Sequence, residues 1–132
     1  MVVFTMTKDE LPVFEDMLPA SAVENFNKTG YYTTGALDDE GFPIGVMQFY
    51  VDGDPEKVYV ASLEYIYVTP EARLESVAWH LHESYKQVLM ETRIPVSEVD
   101  CGKAPEESIR AFLLALGYKS LGEGRFMLNI PR

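Results

Sequence analysis

A single cysteine, Cys101, is all the thiol this sequence holds. An intrachain disulfide framework is therefore impossible, and a reducing compartment, the cytoplasm, is the expected location. Histidine is nearly as scarce. His80 and His82 are the only two, and two residues apart on a helix they point in different directions, so they make no metal pair and are expected at surface or boundary positions. Positive charge is short as well: eleven Lys and Arg stand against twenty-one Asp and Glu, a net charge of −10. The phosphate backbone of a nucleic acid would be repelled, whereas an amine, a polyamine or a basic peptide suits that balance, which also serves plain solubility. No apolar stretch approaches the roughly 20 residues of a membrane span. The opening MVVFTMTKDELPVF lacks the basic and apolar segments of an export signal, so a soluble protein with no membrane partner is expected.

What is present is a core. With 132 residues, 47% hydrophobic and 12% aromatic, one domain over 1–132 is expected. A short apolar run at 2–6 precedes Thr7, with Glu10 three residues on, a capping-box pattern that opens a helix over 8–17 containing Pro12. A second helical piece, 20–27, ends where Gly30 can take the left-handed position. The period then becomes alternating. Strands at 31–37 and 42–51 form a hairpin, and a turn at 52–55 leads to a third strand at 58–68. From Leu74 through Val77, Leu81, Tyr85, Val88 and Leu89 the apolar spacing is that of a helix face. A strand at 94–99, a helix at 105–116 closed by Gly117, and a hairpin over 118–130 turning at 121–124 complete the order. A strand feeding a helix and then a short strand implies one parallel crossover in an otherwise antiparallel sheet. A ligand cleft is expected where those two strands diverge, near Val68 and Asp100.

The stretch EYIYVTPEARLESVAWHL, residues 64–81, carries most of the chemical information. It reads as strand, proline turn and helix, the layout in which amides at a helix start receive an anion. Thr69-Pro70-Glu71 is also a helix start in its own right, with Thr69 as cap, which would let the helix begin early and absorb the turn. Six tyrosines, Tyr31, Tyr32, Tyr50, Tyr59, Tyr65 and Tyr67, supply strand bulk, and one or two could line a pocket that holds a cation. Cys101 could border the cleft as a nucleophile or acid, or sit partly buried and inert.

In order and residues together the chain resembles the GNAT superfamily of acetyltransferases over nearly its whole length. Val68-Thr69-Pro70 followed by Arg73, Ser76 and Ala78 matches the family's coenzyme motif, and IRAFLLALGY matches its late helix ending in Gly-Phe or Gly-Tyr. The resemblance implies an α+β fold, a largely antiparallel sheet with helices on both faces. It implies acetyl-CoA as co-substrate, with its pyrophosphate on the segment of Arg73, Leu74, Ser76, Val77 and Ala78 and its pantetheine arm along Ile66, Tyr67 and Val68. It also implies direct attack of an amine on the thioester, with an amide near Val68 steadying the oxyanion.

This sequence departs from that pattern at several places. Ser76 stands for the first glycine, and Glu75 stands where a basic residue is common, at a cost on the order of 1 kcal/mol if ~6 Å from a pyrophosphate in a wet site. The family's base position is Ser62. Glu64, two residues on and by period two on the same face, is the candidate base, strengthened if an apolar cleft encloses it. The general-acid tyrosine is matched by Leu113, beside Phe112, and the helix-opening asparagine by Glu106 or by no residue at all. Two functions follow: acetyl transfer from acetyl-CoA to a small-molecule or peptide amine, or a GNAT-fold domain without catalysis that serves binding or assembly, as one half of a larger unit or homodimer. An unrelated α+β binding domain would be indicated if the 94–99 strand did not run parallel to the 58–68 strand.

Overall fold

The computed structural model describes residues 1–51, 60–73, 76–102 and 107–131. The expected turn at 52–55, the start of the third strand, Tyr59, Leu74, Glu75 and the start of the last helix with Glu106 lie outside the described residues.

The chain runs β1 (Val2–Thr5), α1 (Leu11–Phe14), a 3-10 turn (Glu15–Met17), α2 (Ala20–Asn25), β2 (Tyr31–Leu37), β3 (Pro43–Val51) and β4 (Val60–Val68). It continues through a second 3-10 turn (Pro70–Ala72), α3 (Val77–Glu91), β5 (Val96–Asp100), α4 (Glu107–Ala115), β6 (Lys119–Gly122) and β7 (Arg125–Asn129). The strands form one sheet in the order β1-β2-β3-β4-β5-β7-β6. Every neighbour is antiparallel except β4 and β5, which run parallel. That pairing removes the unrelated α+β reading.

Alternation sorts the side chains into two cores. Met47 and Phe49 of β3 join Val77, Leu81, Tyr85 and Leu89 of α3 and Leu113 of α4, while Val46 joins Phe14 of α1 and Ala22 of α2. On the α2 side buried Gln48 donates to the Ala22 carbonyl at 2.8 Å and to Thr33 Oγ1 at 3.2 Å, so its burial is satisfied. Two glycines permit close approach. A Cβ on Gly35 would meet the Phe14 ring at 2.7 Å, and one on Gly45 would meet Val77 at 3.0 Å and Leu81 at 3.1 Å.

Several expected boundaries move, each for a local reason. The 8–17 helix contracts to a single α turn and a 3-10 turn. The Glu10 carboxylate accepts from the Thr7 N–H at 2.9 Å, closing a turn before the helix, and Pro12 falls at its start, where its missing N–H costs nothing. β5 begins at Val96 because the Ile94 N–H is used at the end of α3, bonding the Leu89 carbonyl at 2.9 Å. The helix of the 64–81 segment does not begin early. Thr69 and Pro70 start a separate 3-10 turn, and Ser76, left-handed at φ 60°, blocks its continuation, so α3 starts only at Val77.

Candidate coenzyme cleft

β4 and β5 pair only over Val60–Val96, Ala61–Ser97 and Ser62–Glu98. Among the described residues, the β5-facing edge of β4 has no strand partner beyond Ser62, and the two strands fork. A cleft of about 570 Å³ occupies the space on the β4 side of the fork, lined by Ile66, Tyr67, Val68, Arg73, Ala78, Ser108, Ile109 and Phe112. Five of these come from the 64–81 segment. The other three are one face of α4, which closes the cleft from the far side.

The end of β4 and the start of α3 gather a cation and helix-start amides at one end of the cleft. Arg73 folds back so that its Nε donates to the Val68 carbonyl at 3.1 Å and its guanidinium lies 5.7 Å from the Tyr67 ring centre, within cation–π range. Among the described residues it makes no ion pair, so its outer nitrogens stay available to a ligand. Ser76 caps α3 without a side-chain hydrogen bond to the helix, and the first intrahelical bond runs from the His80 N–H to the Ser76 carbonyl. Among the described residues the amides of Val77, Ala78 and Trp79 have no intrahelical acceptor, and the positive end of a 15-residue helix lies behind them. Ser76 replaces a glycine in sequence yet adopts the left-handed backbone that glycine would supply. The described residues at this end, Arg73, Ser76 and Ala78, fit a phosphate-bearing ligand.

Other expected site residues fall elsewhere. The Val77 side chain points into the core beneath Gly45 and can offer only its amide. Leu74 is outside the described residues. Ser62 and Asp100 line a separate hollow of about 280 Å³ with Glu98 and Arg125, so the Asp100 end of the fork is not part of the cleft. Glu64 is exposed and does not line the cleft. The period-two placement of Glu64 beside Ser62 also fails. Tyr65 pairs with Gln48 and Leu63 with Phe49, leaving Glu64 as the extra residue of a β-bulge. Leu63, Ile66 and Val68 consequently share the α3 face, and Tyr65 and Tyr67 the α1 face, so alternation does not run through residue 64.

The remaining singled-out residues are structural. His82 is buried, against the surface or boundary position expected, and only His80 is exposed. Cys101 does not line the cleft; it packs on the core, and burial, then the Asp100 charge, pushes its thiol up, away from nucleophilic use. Tyr65 donates to the Met17 carbonyl at 2.8 Å, and Tyr32 stacks on Phe49 at 5.3 Å. Leu113, at the family's tyrosine position, is buried, and its neighbour Phe112 faces the cleft without a hydroxyl. Ser108, Ile109 and Phe112 were not anticipated. Their one-and-four spacing is visible in the helix, but nothing in it tells the cleft side from the side that Leu113 buries.

The family model of the Acetyltransferase (GNAT) family matches residues 3–118. The chain belongs to the GNAT acetyltransferase family. Solved GNAT structures share its fold at low identity. The ribosomal-protein-S18-alanine N-acetyltransferase of Escherichia coli superposes with a TM-score of 0.79 at 13% identity, over 99% of this chain and 94% of its own. The GNAT family N-acetyltransferase YhbS of Escherichia coli, solved in complex with CoA, gives 0.77 at 17%, over 98% of this chain and 81% of its own. The aminoglycoside 6'-N-acetyltransferase AAC(6')-Ih of Acinetobacter baumannii gives 0.72 at 17%, over 90% of each. Among curated proteins, none matches the chain in sequence. Within the GNAT fold, the forked strands, the start of α3 at Ala78 and Arg73 fall together at one cleft.

Proposed function

We propose that the protein transfers an acetyl group from acetyl-CoA to the amine of a small molecule or peptide. The observation that carries this reading is the convergence on one cleft of Arg73, the first turn of α3 at Ala78, and a β4 edge that beyond Ser62 has no strand partner among the described residues. The pyrophosphate takes the amides and the Arg73 outer nitrogens, and the pantetheine amides pair with β4 along Ile66, Tyr67 and Val68. The amine nitrogen attacks the thioester carbonyl carbon, an amide near Val68 holds the oxyanion, and the C–S bond breaks as the tetrahedral intermediate collapses. The ammonium proton leaves through water to Glu64, which is exposed and lies outside the cleft lining. The thiolate leaves without a tyrosine donor at position 113 and takes its proton from solvent. CoA bound to YhbS and the amine acceptor named for AAC(6')-Ih lend support by analogy.

Thermal shift with acetyl-CoA is the direct test. A ligand at about 100 times its Kd stabilises the folded state by about 2.7 kcal/mol, and Arg73→Ala should remove most of that gain. No shift at ~1 mM ligand, about 4 kcal/mol of binding free energy or less, would refute the transferase reading. Binding without turnover of any amine from a panel of polyamines, aminoglycosides and peptide N-termini would favour the alternative, a GNAT-fold binding or assembly module, which the missing hydroxyl at Leu113 also favours.

A further inference from the structure

Four side chains that no step of acetyl transfer uses form a continuous polar chain through the core. His82 Nε2 lies 2.7 Å from the Tyr118 hydroxyl, Tyr118 lies 2.8 Å from Ser97 Oγ, and Ser97 Oγ lies 2.7 Å from the Tyr85 hydroxyl. All four residues are buried. The chain joins three elements: His82 and Tyr85 on α3, Ser97 on β5, and Tyr118 just past α4.

Among these three contacts, one proton arrangement leaves no hydroxyl hydrogen without a partner. Three hydroxyl hydrogens serve three contacts, and the Tyr85 hydroxyl has no other partner among the described residues, so it donates to Ser97. Ser97 then donates to Tyr118, and Tyr118 to His82 Nε2, which places the imidazole hydrogen on Nδ1. An imidazolium has no acceptor nitrogen. Protonating His82 would reverse the whole chain and leave the Tyr85 hydrogen buried without a partner, a penalty added to that of a buried charge. Burial, with Lys86 adding to it, already pushes the imidazole down to about 4.

This chain bears on the cleft through α4. Along its length α4 buries a single side chain, Leu113. Its end is a Schellman motif, with the Tyr118 N–H on the Leu113 carbonyl and the Gly117 N–H on the Leu114 carbonyl, both at 3.0 Å. The motif turns Tyr118 into the core as the second anchor of a helix whose other face lines the cleft with Ser108, Ile109 and Phe112. We propose that the His82–Tyr118–Ser97–Tyr85 chain is a clamp that positions α4 as the wall of the cleft, and that protonation of His82 releases it. The cleft half of this proposal rests on the acyl-CoA reading above. The groups facing the clamp are Lys86 on α3 itself and Glu64 of β4, whose charge acts on the Tyr85 end.

The clamp is tested in the protein without ligand, by hydrogen exchange of the α4 amides relative to those of β2 and β3, at pH 7 and pH 5. His82→Gln keeps a neutral acceptor for Tyr118 and cannot titrate. The protection of the wild-type α4 amides, each taken against its own unfolded-chain exchange rate, should fall on the order of tenfold between the two pH values, and that of the variant should stay level. Equal behaviour of the two proteins overturns the clamp, and so do wild-type α4 amides that at pH 5 still open only together with those of β2 and β3. If His82→Gln does not fold, Ser97→Ala cuts the chain at its centre; α4 should then be poorly protected at both pH values, and undiminished protection overturns the proposal. Calorimetry with coenzyme A at the same pH values should show a steeper acid loss of affinity in wild type than in His82→Gln, and parallel curves overturn the link to the cleft. Absence of coenzyme A binding at pH 7 refutes the acyl-CoA reading and the cleft half with it, while the exchange result still decides the clamp.

Discussion

Ser76 sits at φ 60° and ψ 24°, a backbone region that costs a residue with a Cβ roughly 1–2 kcal/mol. Nothing in its side chain offsets that cost within the helix, since it makes no capping bond. Ser76→Gly should therefore raise the unfolding free energy by about 1 kcal/mol and leave acetyl-CoA affinity equal or tighter; urea unfolding and calorimetry would read both. A loss of stability would mean that the serine makes an interaction absent from this structure. In sequence Ser76 reads as a damaged glycine, because residue type is all a motif can report. The backbone angle, which is what a phosphate site here would need, is not something a residue type reports. Glu64 shows the opposite failure. Its residue type suits a base, but its placement was argued from alternation, and one extra residue opposite Gln48 and Phe49 breaks that alternation.

At the scale of elements, helix faces and strand runs were legible because burial imposes a period on the sequence. Val77, Leu81, Tyr85 and Leu89 follow that period and all are buried. α3 packs on β3 through Gly45, where an added methyl would lie 3.0 Å from Val77 and 3.1 Å from Leu81. Gly45→Ala should destabilise the fold by ~1–3 kcal/mol, and by moving the α3 N-terminus it should weaken acetyl-CoA binding as well. Normal stability in chemical unfolding would show that α3 can shift without loss. Boundaries were harder to read than faces. Where α3 begins depends on one left-handed residue, and where β5 begins depends on an Ile94 N–H already used by the preceding helix. α4 illustrates the limit of periodicity: both of its sides carry large apolar groups, Leu113 toward the core and Ile109 and Phe112 toward the cleft.

For the whole molecule the most consequential buried group is His82. Its folded pKa of about 4 lies below the ordinary 6.5 because burial disfavours the imidazolium. Above pH 6.5 it is neutral in both folded and unfolded chains and contributes no pH dependence. As pH falls from 6.5 towards 4 the unfolded chain binds the proton first, so stability drops, by about 3 kcal/mol over the full interval. Urea unfolding at half-unit steps of pH should show that decline, and His82→Gln should flatten it; an unchanged slope would assign the decline to other groups. The sequence placed both histidines at the surface or boundary, because their spacing excludes a metal pair but says nothing of depth. Burial of His82 requires a partner, and that partner, Tyr118, is 36 residues away.

By itself the sequence determined the order of elements, the single parallel crossover, and the strand, turn and helix segment that borders the cleft, since hydrophobic period, turn residues and motif spacing are local quantities. Only the tertiary structure decided which residues share the cleft. The fork of β4 from β5, the bulge at Glu64, the face that α4 turns inward and the chain from His82 to Tyr85 all depend on register and contact between distant segments, and no local pattern encodes those.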